Sequence, residues 1–194
     1  LSVKPASYAF KRKLVKTEEA EIMSKLNIDQ QTIKELFANK RSDFLIPDYQ
    51  RPYAWGEAEC QTLWDDIFAF AFPENDYSRF KSDEDEYFLG PIVTFKNQDN
   101  KLEIIDGQQR LTTFLIFMKV LCLKQNQTLL FDYQFRIMGQ GIALRHGRND
   151  IDAFEKVMAM QEAVVIANPF PGSRIIEAFN YFVIHMDHQK LDIM

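Results

Sequence analysis

Cysteine, glycine and histidine are all scarce in this sequence, and each shortage closes a class of function. Cys60 and Cys122 are the only cysteines, far apart and without metal-ligand spacing, which excludes a disulfide framework and a cysteine-based zinc site and suits a reducing cytoplasm. The 7 glycines fall in neither a Walker A sequence nor a Gly-x-Gly-x-x-Gly pattern, so the two common glycine-rich phosphate loops are absent. Three histidines, His146, His185 and His188, make no nuclease pattern; His185 and His188 read as a surface pair on a helix. Basic charge is not in excess either. With 28 acidic and 23 basic residues and a net charge of -5, a uniformly basic face for duplex DNA is excluded, although Lys11, Arg12, Lys13 and Lys16 form a local basic cluster. The longest apolar stretch, Leu111 to Leu123, is broken by Thr112, Thr113 and Lys119 and is too short to cross a bilayer. No signal-peptide pattern precedes it, so neither secretion nor a membrane span is expected.

What is present is a hydrophobic fraction of 46%, enough for one sizeable core and the beginning of a second lobe. Residues 1–27 read as an N-terminal extension. After Asp29 the apolar residues Ile33, Leu36 and Phe37 predict a short amphipathic helix with Asp29 as its cap. Phe44-Leu45-Ile46 reads as a strand, and Pro47 and Pro52 stiffen the segment between them, which places Arg51 on an extended loop. A second helix from Gly56 carries Cys60, Leu63, Trp64, Ile67, Phe68 and Ala71 on one face, with Glu57 and Glu59 in its first turn. The acidic residues Asp65-Asp66 and 83–86 read as solvated surface rather than a metal site. Tyr87 to Phe95 and Leu102 to Ile105 predict a β-hairpin, and the second strand runs into a helix over about 108–123. Leu129 to Phe135 reads as a strand, Asp150 to Met160 as a helix, and Ser173 as the N-cap of a last helix to His188. Leu1 opens and Met194 closes the chain in a helical stretch, as expected of a piece of a longer protein.

The strand, tight turn and helix around Asp106-Gly107-Gln108-Gln109-Arg110 carry the most chemistry. In one reading Asp106 caps the helix, Gln109 bonds back to it as in a capping box, and Gly107 relieves the turn. That reading leaves Arg110 unexplained. A cation in the first turn opposes the helix dipole by about 0.3–1 kcal/mol unless an anion lies nearby. Either an acidic side chain elsewhere supplies that anion, or a bound phosphate does, held by unpaired N–H groups, approached closely at Gly107 and forked by Arg110.

The run Ile105-Asp106-Gly107-Gln108-Gln109-Arg110-Leu111-Thr112-Thr113 resembles the DGQQR signature of the N-terminal domains of GmrSD-type, modification-dependent restriction endonucleases. Ile46-Pro47-Asp48-Tyr49-Gln50-Arg51-Pro52-Tyr53-Ala54-Trp55 resembles a second block of that family, and Tyr87-Phe88-Leu89-Gly90-Pro91-Ile92-Val93 a third. The resemblance implies an α+β fold: a ParB/sulfiredoxin-like core over residues 28–128, with a small mixed sheet and packed helices, followed over 129–194 by the start of a mainly helical lobe. It also implies that the turn and helix hold the phosphates of a nucleoside triphosphate, with or without Mg2+, and that hydrolysis regulates a separate nuclease module absent from this chain. DNA would then be met through the complete protein or complex.

On this reading Gln50, Arg51, Gly107, Gln108, Gln109, Arg110 and Thr113 bind the nucleotide, and Asp106 and Arg110 are the catalytic candidates, with Asp106 orienting water or magnesium. No dedicated metal ligands are expected. Arg51, on its stiff loop, is expected to complete a two-arginine clamp, with Gln50 lining the same pocket. Tyr49, Tyr53 and Trp55 are either core packing or pocket wall and stacking platform. A different class of function is a non-hydrolytic ParB-like DNA-binding or protein-interaction adaptor, using the basic residues at 11–16 and Arg145 to Arg148. A sulfiredoxin-like redox activity is disfavoured, because the motif lacks cysteine and Cys122 falls in an apolar helix.

Overall fold

A computed structural model of the chain describes residues 30–38, 44–75, 86–137 and 141–186. Two compact units divide it, Leu1–Leu36 and Phe37–Met194. In the first, the start of helix α1 (Ile33–Ala38) is fixed by a reciprocal capping box: the Thr32 N–H donates to Glu35 Oε2 at 2.8 Å and the Glu35 N–H to Thr32 Oγ1 at 3.2 Å. Asp29, the expected cap, lies outside the described residues, as do the basic cluster at 11–16, acidic residues 83–85 and His188.

The second unit is α+β. Its elements run β1 (Phe44–Leu45), α2 (Glu57–Ala71), a 3-10 turn (Pro73–Asn75), β2 (Val93–Lys96), β3 (Leu102–Asp106), α3 (Gln108–Lys124), α4 (Thr128–Phe135), β4 (Arg136–Ile137), β5 (Gly141–Ile142), β6 (Leu144–Arg145), α5 (Ile151–Met158) and α6 (Ile175–His185). The main sheet is mixed, in the order β2-β3-β1-β6. The hairpin pair β2 and β3 is antiparallel, whereas β1 lies parallel to both β3 and β6, with Phe44 level with Leu102 on one side and Leu144 on the other. β4 and β5 form a separate antiparallel pair.

Helix α3 is the spine of the core. Leu111, Leu115, Ile116, Phe117, Val120 and Leu123 are buried along it, and α4, α5 and α6 all pack against it. Trp64 of α2 and Phe182 of α6 both meet Phe117, at ring-centroid distances of 6.0 and 5.6 Å, so aromatic packing ties three helices at one point. Lys119 is buried here too, with its ammonium 5.0 Å from the centre of the Phe131 ring.

Three sequence expectations are corrected. Leu129 to Phe135 lies in a helix, not a strand: only Phe131 and Phe135, one helical turn apart, are buried, while Leu129, Leu130 and Tyr133 face outward. The strand expected over Tyr87 to Phe95 is regular only from Val93, because Gly90 adopts φ +99 and Pro91 follows it. The last helix starts at Ile175 with Arg174 at its N-cap, and the Ser173 hydroxyl, 3.4 Å from the Ile175 N–H, also donates to Asp150. Residues 129–186 belong to the same compact unit as the hairpin and α3, and they give the main sheet its strand β6.

Candidate functional site

Because β3, β1 and β6 run parallel, the segments that leave them emerge at one end of the sheet. Those segments are the turn Asp106–Gly107 into α3, the loop 46–56, and residues 146–150. Openings beyond the carboxyl ends of parallel strands are where open α/β sheets bind ligands, and nearly all the sequence-predicted residues lie there.

The turn is shaped by Gly107, which stands at the N-cap of α3 with φ 89 and ψ 2. A Cβ at that position would lie 2.9 Å from the Pro91 carbonyl oxygen, so both conformation and space demand glycine. The expected capping box does not form. Asp106 is the last residue of β3, and no described side chain caps the helix. Gln109 turns away instead: its Oε1 accepts from the Ala54 N–H at 2.8 Å and its Nε2 donates to the Pro52 carbonyl at 3.3 Å. It staples the 52–54 loop to α3. The first-turn N–H groups of α3 are thereby left to an external acceptor.

Arg110 projects from that first turn, donates to the Pro91 carbonyl at 2.5 Å and approaches Asp106 at 3.8 Å. Its guanidinium fills the space a Cβ would need at Gly90. Asp106, with a side chain 69% exposed, only partly offsets the cation. Gln108 is more telling: it is buried, its Nε2 reaches the Arg51 carbonyl at 3.5 Å, and its Oε1 has no partner. It lines a narrow cleft with Arg51, Tyr53, Thr112 and His146. Among the described residues the Arg51 guanidinium has neither a hydrogen-bond nor an ion-pair partner.

Arg51 and Arg110 therefore do not share one hollow. Arg110 borders a larger one of about 290 Å³, walled by Trp55, Leu63, Tyr87 and Leu89, with Glu59, Thr62 and Asp66 at its edge. Gln50 is not in either lining. Its amide donates to the Ile105 carbonyl at 3.2 Å and ties the loop to β3. Tyr49 is exposed and donates to Glu103 at 3.1 Å. Tyr53 is buried, its hydroxyl 2.7 Å from Thr113 Oγ1, and burial raises its pKa. Thr113 is itself buried and donates to the Gln109 carbonyl at 2.7 Å, behind the turn. Of the three loop aromatics, Trp55 walls the hollow beside Arg110, Tyr53 lines the narrow cleft with Arg51, and Tyr49 lines neither.

Sequence reasoning missed three supporting residues. Asp150 is a buried carboxylate that accepts from the Tyr53 N–H at 2.7 Å and from the Ser173 hydroxyl at 2.6 Å. Asp48 accepts from the Arg148 backbone and guanidinium at 2.9 and 2.7 Å, and these bonds hold its carboxyl below the usual range. The His146 ring packs against Phe154 at a 42° tilt, centroids 4.4 Å apart, and its Nε2 lies 3.1 Å from Thr112 Oγ1. The hydrogen bonds among these residues each span 23 positions or more, so no local spacing announces them.

Burial drives the His146 pKa down to about 3 from 6.5. The unfolded chain therefore binds the extra proton first as pH falls, and the folded state loses about 1.4 kcal/mol per pH unit between those two values. Urea unfolding midpoints at pH 7, 5.5 and 4.5 are expected to fall more steeply for the natural sequence than for His146→Gln.

Among the described residues no helix is long and apolar enough to cross a membrane, and no three His, Cys, Asp or Glu side chains gather as a metal site. Cys60 and Cys122 are buried free thiols whose pKa values burial raises, Cys60 to about 11, which removes their thiolate character. A family model described as GmrSD restriction endonuclease, N-terminal domain, matches residues 33–183. No curated protein matches the chain.

Proposed function

The chain belongs to the GmrSD restriction endonuclease N-terminal domain family, and from that premise we propose that it is the nucleotide-binding, NTP-hydrolysing regulatory domain of a modification-dependent, anti-phage restriction system. The observation that carries this reading is the α3 N-terminus: an uncapped first turn behind a left-handed glycine, with Arg110 beside it. Oriented backbone N–H groups and a guanidinium suit a phosphate better than any neutral ligand. The built-in offset, Asp106, is too exposed and too distant to saturate that field.

In this reading the core is ParB/sulfiredoxin-like and the phosphates lie over Gly107, Gln108 and Gln109. Arg110 neutralises charge on them, and Arg51 approaches from the facing loop. Magnesium would neutralise phosphate charge, with Asp106 the nearest carboxylate to the turn. Phosphoryl transfer depends mainly on positioning and electrostatics, so a site without a histidine base is chemically adequate. A nuclease module or subunit would read the nucleotide state, and DNA would be engaged by the assembly in the cytoplasm.

Titration calorimetry of the chain with ATP, GTP, CTP and UTP plus magnesium, with phosphate release followed in parallel, tests this. Arg110→Ala is expected to weaken binding by about 100-fold, as for removal of charge-assisted contacts costing about 3 kcal/mol. Nucleotide-independent, salt-sensitive DNA binding unaffected by Arg110→Ala would instead establish the adaptor reading, for which the exposed Arg148 is a contact.

A further inference from the structure

The hollow beside Arg110 has a composition that phosphate binding does not use. Trp55 and Tyr87 give it two flat aromatic surfaces, and Leu63 and Leu89 make it apolar. Its open space of about 290 Å³ lies at the lower end of the range for small-molecule sites, about 300–1,000 Å³. Two carboxylates stand at its edge, Asp66 and Glu59. Unlike Asp65, which accepts from Gln61 at 2.7 Å, Asp66 has no hydrogen-bond or ion-pair partner among the described residues. Glu59 is already committed, since its Oε2 accepts from the Gly56 N–H at 2.8 Å.

We propose that this hollow is the base pocket of the nucleotide, and that it selects guanine through Asp66; the inference rests on the nucleotide reading above. Arg110 connects the two halves of the site, because its backbone belongs to the phosphate turn while its guanidinium borders the hollow. Trp55 is positioned by the same turn, through the Gln109 bond to Ala54. An aromatic wall accepts any base, so discrimination falls to the polar edge. An ionised carboxylate only accepts hydrogen bonds. Guanine alone among the common bases presents two adjacent donors, N1–H and the N2 amine, that both oxygens of Asp66 engage at once. Adenine and cytosine offer a single amine next to an acceptor nitrogen, which the carboxylate repels, and uracil offers one N–H between two carbonyls.

The test compares affinities of the chain for GTP, ITP, ATP, UTP and XTP, each with magnesium, in the natural sequence and in Asp66→Asn. Asp66 is exposed on α2, and thermal melts verify that the substitution leaves the fold intact. The natural sequence is expected to bind GTP on the order of tenfold or more above the other four, in keeping with one or more charge-assisted bonds. Asp66→Asn is expected to lose that preference and to gain affinity for XTP, whose C2 carbonyl accepts from the new amide. Equal affinities for all bases, a preference for ATP or UTP, or an unchanged order in Asp66→Asn each overturns the guanine assignment while leaving nucleotide binding in place. Failure to bind any of these five or CTP overturns the nucleotide reading itself.

Discussion

Replacing Gly107 with alanine is expected to destabilise the fold by about 3 kcal/mol, since a left-handed non-glycine residue costs about 1–3 kcal/mol and an overpacked contact a similar amount. Both terms arise at this one position. The backbone has φ 89, and the added Cβ would press on the Pro91 carbonyl and on Ile92 Cα at 2.9 and 3.2 Å. Pro91 also anchors Arg110, so any retreat of the 90–92 segment moves the guanidinium away from the turn. Gly107→Ala is therefore expected to abolish nucleotide binding as well as to lower the melting temperature. Gly107→Asn separates the terms, because asparagine tolerates the conformation but not the space. A melting temperature that Asn restores fully would show that only the dihedral matters.

Asp150→Ala is the second large effect, about 3 kcal/mol or more. The carboxylate is buried and accepts two short bonds, and hydrogen bonds to charged groups contribute about 1.5–3 kcal/mol each. Its loss strands the Tyr53 N–H and the Ser173 hydroxyl at once, in the loop bearing Arg51 and Trp55 and at the start of α6. Denaturant unfolding is expected to show the lower stability, with Asp150→Asn recovering part of it because an amide oxygen still accepts. At temperatures where the variant remains folded, nucleotide affinity is expected to drop as the loop loosens. An unchanged affinity would mean that the remaining ties, from Gln109 to Pro52 and Ala54, Gln50 to Ile105 and Arg174 to Ala54, hold the loop without Asp150.

Local physics made much of this legible. The 108–124 helix, the 57–71 helix and the hairpin were written in periodicity and turn residues, because each buries a face that its own sequence marks. The α4 segment was not, since Leu129 and Leu130 have strand-like apolar character but no partner strand, and two phenylalanines one turn apart decide the outcome. At the candidate site, the sequence marked the Asp106–Gly107 turn but misplaced the partners of Gln109. A glutamine three residues past an aspartate imitates a capping box, yet its amide matches the paired N–H and C=O of a loop more than 50 residues away. The buried Asp150, the neutral His146 and the separation of Arg51 from Arg110 all depend on tertiary pairings that no window of sequence contains.

The order of strands in the main sheet has a consequence for synthesis. β1 is bracketed by β3 and β6, whose residues emerge from the ribosome roughly 60 and 100 positions after it. Until Leu144 and Arg145 arrive, one edge of β1 is open, and the carboxylate that fixes the Tyr53 loop follows only at Asp150, with its own partner later still at Ser173. A nascent chain stopped at the end of α3 would carry the whole DGQQR turn yet lack the framework that positions the facing loop. The two sides of the candidate site thus come together late in synthesis, and if the turn binds nucleotide as proposed, a ribosome-bound or prematurely terminated copy is expected not to bind it.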